Sequence, residues 1–220
     1  VKVAVLRFPG SNCDQDALHS LRDDIGVGAD YVWHEDKSLE GFEAVFIPGG
    51  FSYGDYLRCG AMASRAPIMS EVRRFASEGK LIIGVCNGFQ ILCEAGLLPG
   101  ALLLNESQKF VCKQVRLSRG NTSSIWTQSI ENEIELPVAH GEGRYICDTE
   151  VLRELHSENR VAFRYSGENP NGSTDDIAGI LNETGNVLGM MPHPERATKA
   201  ILGPTDGRFI LNAFKAILRK

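Results

Sequence analysis

No stretch of this chain approaches 18 consecutive apolar residues, so a membrane-spanning helix is not expected. The first strand begins at residue 1 with no charged-then-apolar leader, so the expected location is the cytoplasm. Long basic runs are also missing: 23 Lys and Arg are scattered against 28 Asp and Glu, for a net charge of −5. That balance argues against a nucleic-acid footprint. Six cysteines occur, yet none forms a CxxC pair or lies at zinc-finger spacing from a histidine, so no metal is expected. Reduced thiols fit a chain of this size better than a disulfide framework. No Gly-Lys-Ser/Thr follows a glycine-rich loop, so nothing predicts an ATP site or other cofactor in the chain itself. With no repeat and no linker, residues 1–220 read as a single domain large enough to bury a substantial core.

What is present is an alternation of buried strands and amphipathic helices. Val1–Phe8 is an apolar run of the kind expected for a strand covered on both faces. Pro9-Gly10 breaks it, and Ser11 or Asn12 can cap a helix with the stripe Cys13, Ala17, Leu21 and Ile25. Short strands follow at Ala29–Trp33 and Ala44–Ile47. A helix from about Pro67 turns Ile68, Val72, Phe75 and Ala76 inward. Leu81–Val85 is a fourth strand, and Asn87–Ala95 its helix. This pattern predicts an α/β fold with a doubly wound, mostly parallel sheet and helices on both faces. The second half is richer in strands: Phe110–Leu117, Ile134–Val138, Arg160–Tyr165, Ile177–Asn182 and Val187–Met191, the last two joined by a hairpin turn over Glu183–Asn186. A final helix is predicted over Asp206–Arg219, with Phe209, Ala213, Phe214, Ile217 and Leu218 on its apolar face and Arg219 and Lys220 at its end.

The stretch Gly84-Val-Cys-Asn-Gly-Phe-Gln90 has the layout of a nucleophile elbow. Cys86 stands between a strand and a helix, with glycine two residues away on each side, where a sharp turn leaves no room for a side chain. The free N–H groups of a helix N-terminus favour an anion there, whether a thiolate or the oxyanion of an attacked substrate. A cysteine nucleophile needs a base and a group to orient that base. His193-Pro194-Glu195 offers both after an apolar strand. Pro194 keeps His193 out of the helical region, and residues two apart in extended chain point the same way. Cys86, His193 and Glu195 are therefore the candidate catalytic residues.

Two glycine-bearing loops add candidates. Pro48–Asp55 follows a strand and can aim backbone N–H groups, those of Gly50 and Phe51 among them, at developing negative charge. Val138–Tyr145 mixes charge with glycine and allows close backbone approach to a polar ligand; Arg58, Glu142 and Arg144 stand in such loops and could serve docking. Cys13, Cys93, Cys112 and Cys147 sit in apolar patterns and read as small buried hydrophobes. Cys59 is ambiguous. His34 and His156 lack a partner pattern and read as surface or structural, and His19 as solvent-facing.

Gly-x-Cys-x-Gly-x-Gln with a downstream His-Pro-Glu resembles the class I (triad) glutamine amidotransferases. Phe8–Asp14, Pro48–Gly60, Gly84–Leu92, Ala139–Tyr145 and Gly189–Arg196 resemble the branch of that family that serves purine biosynthesis, and the likeness spans nearly the whole chain. The resemblance implies a flavodoxin-like fold with extra β hairpins in the second half. It implies a glutaminase subunit that hydrolyses L-glutamine to glutamate. The ammonia goes to a separate synthetase subunit converting formylglycinamide ribonucleotide to formylglycinamidine ribonucleotide. That synthetase would bind ATP and Mg²⁺, and a small bridging subunit would join the complex. By matching position, Cys86 attacks the carboxamide, His193 moves protons and Glu195 positions His193. Gly50 or Phe51 and Asn87 supply the oxyanion hole, Gln90 meets the α-amino or carboxylate group of glutamine, and His140-Gly141 add main-chain contacts. Residues 118–133 match less distinctively and receive no function. Two alternatives stand beside this reading: a stand-alone cysteine hydrolase of γ-glutamyl or peptide bonds, and a non-catalytic interaction subunit.

Overall fold

The computed structural model describes residues 1–121 and 123–217. Its strands are β1 (Lys2–Arg7), β2 (Gly28–Trp33), β3 (Ala44–Ile47), β4 (Leu81–Val85), β5 (Ala101–Leu103), β6 (Val111–Arg119), β7 (Ile134–His140), β8 (Arg144–Ile146), β9 (Val161–Tyr165), β10 (Ile177–Leu181) and β11 (Val187–Met190). Nine of them form one sheet in the order β2-β1-β3-β4-β11-β10-β9-β6-β7, and β5 and β8 pair separately. The first five strands of that order are mutually parallel. The remaining pairings are antiparallel.

Helix α1 (Asp14–His19) links β1 to β2, α2 (Met69–Ser77) leads from β3 to β4, and α3 (Asn87–Glu94) follows β4. From β1 the sheet grows one way to β2 and the other way through β3 and β4. Right-handed crossovers then set α1 and α2 on opposite faces, and the reversal between β1 and β3 opens a crevice at the strands' carboxyl ends. Val3–Leu6, Ala44–Ile47 and Ile82–Val85 are buried throughout, as a sheet covered on both sides requires. Gly84 and Gly189 lie side by side across the β4–β11 pair. A Cβ at Gly84 would press on Gly88 and Leu92, and one at Gly189 on Phe89 and Leu98. Two missing side chains thus let α3 settle directly on the sheet.

Several elements differ from expectation. Neither Ser11 nor Asn12 caps α1: the cap residue is Cys13, without a side-chain cap bond, and the Ser11 hydroxyl accepts from Phe8 N–H instead. The helix widens into a π turn over Ser20–Ile25, closed by Gly26 at φ 76°. The final helix divides into α5 (Gly207–Leu211) and α6 (Ala213–Ala216), and Phe209, expected inside, is 42% exposed. Leu218, Arg219 and Lys220 lie outside the described residues. A further helix, α4 (Thr149–Ser157), and the β5–β8 pair were not anticipated. The stretch without an assigned function packs inward through Trp126 and Ile130. The Trp126 ring meets Phe214 edge-on at 5.6 Å, and its indole N–H donates to Gly185 O at 3.2 Å.

Candidate active site

Four loops at carboxyl ends of the parallel strands converge, as the topology requires: those after β1, β3, β4 and β11. Cys86 occupies the bend between β4 and α3 with φ 51° and ψ −106°, outside the regions open to an ordinary side chain without strain. The surroundings hold it there. Its N–H donates to Met190 O at 2.8 Å. Gly88 packs against the backbone of Ile47 so closely that a Cβ would overlap it. The Cys86 sulfur lies 3.8 Å from Ala139 O, contributed by β7 at the far end of the sheet.

His193 and Glu195 are buried, with His193 Nδ1 2.6 Å from Glu195 Oε1. The His193 N–H donates to Pro137 O at 2.9 Å, which fixes the backbone that carries the ring. Burial opposes charge on His193, but the Glu195 carboxylate, with the sulfurs of Cys13 and Cys86 in hydrogen-bonding reach, outweighs it and holds the ring well above its ordinary value. His193 Nε2 and Glu195 Oε2 are buried without a partner, so the ring presents one free nitrogen to the cavity. Gly49 is the pivot of this cluster. A Cβ there would stand 2.8 Å from His193 Cε1, 3.1 Å from Cys13 Sγ and 3.3 Å from Cys86 Cβ.

The backbone donors divide unequally. Phe51 N–H is engaged by Gly10 O at 3.0 Å, so of the two expected loop amides Gly50 is the one available. Gly50 takes φ 138°, which only glycine tolerates, and is walled by the backbone of residues 10–12. Asn87 opens α3, where an N–H has no acceptor within the helix. Asn87 Nδ2 donates to Gln90 Oε1 at 2.9 Å, and Gln90 Nε2 donates to Glu142 O at 2.7 Å. Gln90 thus lines the cavity with both ends of its amide already used.

His140 and Gly141 form a wall held by Asn105, a residue the sequence reading passed over. Asn105 is buried; its Oδ1 accepts from Gly143 N–H at 3.0 Å and faces His140 Nδ1 at 3.1 Å. Its Nδ2 donates to His140 O at 2.9 Å, and its N–H to Gly141 O at 2.9 Å, so the carbonyls of both residues expected to add main-chain contacts already accept a hydrogen bond. Burial, with the charge of His193 behind it, lowers the pKa of His140 to about 4. His140 is therefore neutral at pH 7.

Cys13 corrects an expectation. It is buried, but its sulfur lies in the site, accepting from Arg196 Nη2 at 3.2 Å. Arg196 is held in turn by Asp16 at 2.9 Å. Cys112 corrects another, being exposed, while Cys93 and Cys147 are half-buried. Cys59 is buried at the cavity margin beside Asp55 and Glu142; burial and the Glu142 charge raise the Asp55 pKa despite a hydrogen bond from Cys59. Arg58 forms a two-pronged pair with Glu94 at 2.6 and 2.7 Å, and Arg144 donates to Gly172 O at 3.1 Å. His34 is structural, bonded to Tyr53 Oη at 2.8 Å; His19 and His156 are exposed and meet Asp23 and Asp175.

Together Cys13, Gly50, Cys86, Gln90, His140 and His193 border a cavity of about 360 Å³, room for a small polar molecule. A thiol facing a carboxylate-bound imidazole beside free backbone N–H groups is equipped for acyl transfer. Among the described residues no helix is long and apolar enough to cross a membrane.

Residues 1–208 match the family described as the CobB/CobQ-like glutamine amidotransferase domain. A chain in the structure of PurLQS from Thermotoga maritima shares 46% identity with a TM-score of 0.90, covering 99% of this chain and 98% of that one. A glutamine amidotransferase from Thermotoga maritima shares 16% identity with a TM-score of 0.60, over 100% of this chain and 84% of that one. The glutaminase domain of Trypanosoma brucei CTPS, with bound acivicin, shares 17% identity with a TM-score of 0.61, over 100% of this chain and 94% of that one. The last two likenesses establish the fold alone.

Proposed function

The chain belongs to the CobB/CobQ-like glutamine amidotransferase domain family, and on that premise we propose that it is the glutaminase subunit of a phosphoribosylformylglycinamidine synthase. The observation that carries the reaction is the buried His193–Glu195 pair set against Cys86 at the strand–helix bend. The observation that carries the pathway is the 46% identity to a chain of PurLQS across almost the full length.

In the reaction, the sulfur of Cys86 attacks the carboxamide carbon of glutamine while its proton rests on His193 Nε2, the charged form of the ring that Glu195 favours. The N–H groups of Gly50 and Asn87 hold the resulting oxyanion. His193 returns the proton to the leaving nitrogen, ammonia departs, and a γ-glutamyl thioester remains on Cys86. Water then attacks, with His193 taking its proton and handing it to the departing sulfur, and glutamate is released. Glu195 keeps the His193 ring oriented and balances its charge throughout. Gln90 and the His140-Gly141 wall border the α-amino and carboxylate end of the substrate; Gln90 Oε1, which accepts one hydrogen bond from Asn87, has a second lone pair to offer it.

Ammonia has no second reaction to enter in this chain. It passes to a synthetase subunit of the PurL type, where ATP and Mg²⁺ drive conversion of formylglycinamide ribonucleotide to formylglycinamidine ribonucleotide; a small PurS-type subunit bridges the two. The complex works in the cytoplasm, and docking completes the glutaminase site, so the isolated chain is a poor glutaminase. Cys86→Ala decides the division of labour. In the assembled complex it is expected to lower glutamine-supported synthesis by roughly 10³-fold or more and to leave ammonium-supported synthesis intact. Loss of both activities with the complex still assembled overturns the reading.

A further inference from the structure

Charge is spread unevenly around the active-site cavity. Cys13, Cys86, His193 and Arg196 make up one cluster, in which Cys13 and Asp16 occupy the Arg196 guanidinium. Asp55 and Glu142 border the same cavity, and the Cys59 thiol lies within hydrogen-bonding reach of both. Among the described residues neither carboxylate has an ion-pair partner, since Arg58 pairs with Glu94 and Arg144 donates to Gly172 O. Asp55 Oδ1 is buried with no hydrogen-bond partner at all. Like charges at a desolvated margin cost stability until a cation arrives between them. That the cavity takes a ligand follows independently of these charges, from the buried His193 and its unpartnered Nε2.

Gln90 gives the scale. Its N–H donates to Cys86 O at 3.1 Å and its Nε2 to Glu142 O at 2.7 Å, so Glu142 stands one glutamine side chain from the turn that carries the nucleophile. A substrate of the same length, laid beside Gln90 in the opposite sense with its carboxamide at Cys86, brings its α-carbon to the level of Glu142. We infer that Asp55 and Glu142, with the second lone pair of Gln90 Oε1, bind the α-ammonium group of glutamine and make it the feature by which the site selects its substrate. Three N–H bonds then meet three acceptors, and the ammonium offsets both carboxylates. The same pair repels the α-carboxylate and turns it away from this margin. The assignment deepens the glutaminase reading and rests on it.

The test compares glutamine with glutaramate, the same amide without its α-amino group, by release of ammonia in the assembled complex. The unaltered complex should show a kcat/KM roughly 10²-fold or more lower for glutaramate, because the two carboxylates are then left without their cation. Equal rates for the two amides overturn the inference and leave the glutaminase reading standing; failure to hydrolyse glutamine overturns both. Asp55→Asn keeps the side chain's shape and, like aspartate, tolerates the φ of 54° at this position. It should raise the KM for glutamine about tenfold or more with a smaller change in kcat, while kcat/KM for glutaramate does not fall. Glu142→Gln should act in the same way to a lesser degree, and it carries the test alone if Asp55→Asn does not assemble. An unchanged KM for glutamine, or a loss shared equally by both amides, assigns the carboxylates another role and overturns the inference.

Discussion

Around Cys86 the parallel half of the sheet contributes backbone at strand ends, whereas the antiparallel half contributes side-chain amides that hold a wall in place. The turns after β1, β3, β4 and β11 bring Gly50, Cys86 and His193 to one point through glycines and a strained cysteine. The wall from His140 to Gly143 has no such geometry of its own. It keeps its shape because Asn105 and Asn171 satisfy its polar groups, Asn171 Nδ2 donating to Gly143 O at 2.8 Å. The two halves meet where His193 N–H reaches Pro137 O. Reactivity therefore belongs to topology on one side and to a hydrogen-bond network on the other, and disturbing each should have different consequences.

The sharpest break is expected in the parallel half. His193→Ala should cost roughly 10⁴-fold in kcat for glutamine hydrolysis, and Glu195→Gln less, since it removes orientation and charge but keeps the proton carrier. Ammonium-supported synthesis should survive both, and its loss alongside glutaminase would remove the distinction. Gly49→Ala should follow, lowering kcat by about 10²-fold because the new methyl displaces the His193 ring and the Cys86 stem. A variant with full activity would show that the cluster tolerates looser placement.

In the antiparallel half the signature shifts from turnover to stability and binding. Asn105→Ala strands Gly143 N–H and the carbonyls of Lys109 and His140. It should cost about 1–3 kcal/mol in urea unfolding and raise the KM for glutamine more than it lowers kcat. An unchanged KM would detach this wall from substrate. The smallest effect concerns pH. Native His140 takes a proton only near pH 4, against 6.5 for the free side chain, so acidification favours the unfolded chain. Stability should fall as pH drops from about 6.5, by about 1 kcal/mol at pH 5.5, and His140→Gln should flatten that slope. An unaltered slope in the variant would assign the acid sensitivity to other groups.

The same contrast sets what the sequence discloses. β3 and β4 are found at their expected ends because each is a solid apolar run closed by glycine or a sharp turn. The Cys86 bend was legible because glycine two residues away on each side of a cysteine marks a sharp strand–helix turn, although the same glycines also let α3 pack on the sheet. Helix α4 escaped because Leu155 is its only buried residue, too thin a stripe to register; the local sign was Asp148, whose carboxylate accepts from Val151 N–H at 2.8 Å. Cys13 was misjudged for the opposite reason. It falls on the stripe of α1, so periodicity assigned it to the core, while its place just past the carboxyl end of β1 turned it into the site. Asn105 carried little local signal, since apart from Lys109 O, four residues on, its side chain's partners in the wall are 35–38 residues away. The expected final helix breaks at Asn212, and Phe209 turns outward.

The torsion at Cys86 sets firmness against activity within one residue. A chain selected only to stay folded would carry glycine at position 86, which adopts positive φ freely and would release on the order of 1–3 kcal/mol. Retaining a side chain there makes the working molecule less durable than its own inactive form, so searches for more robust variants would drift toward silent ones unless turnover is scored as well.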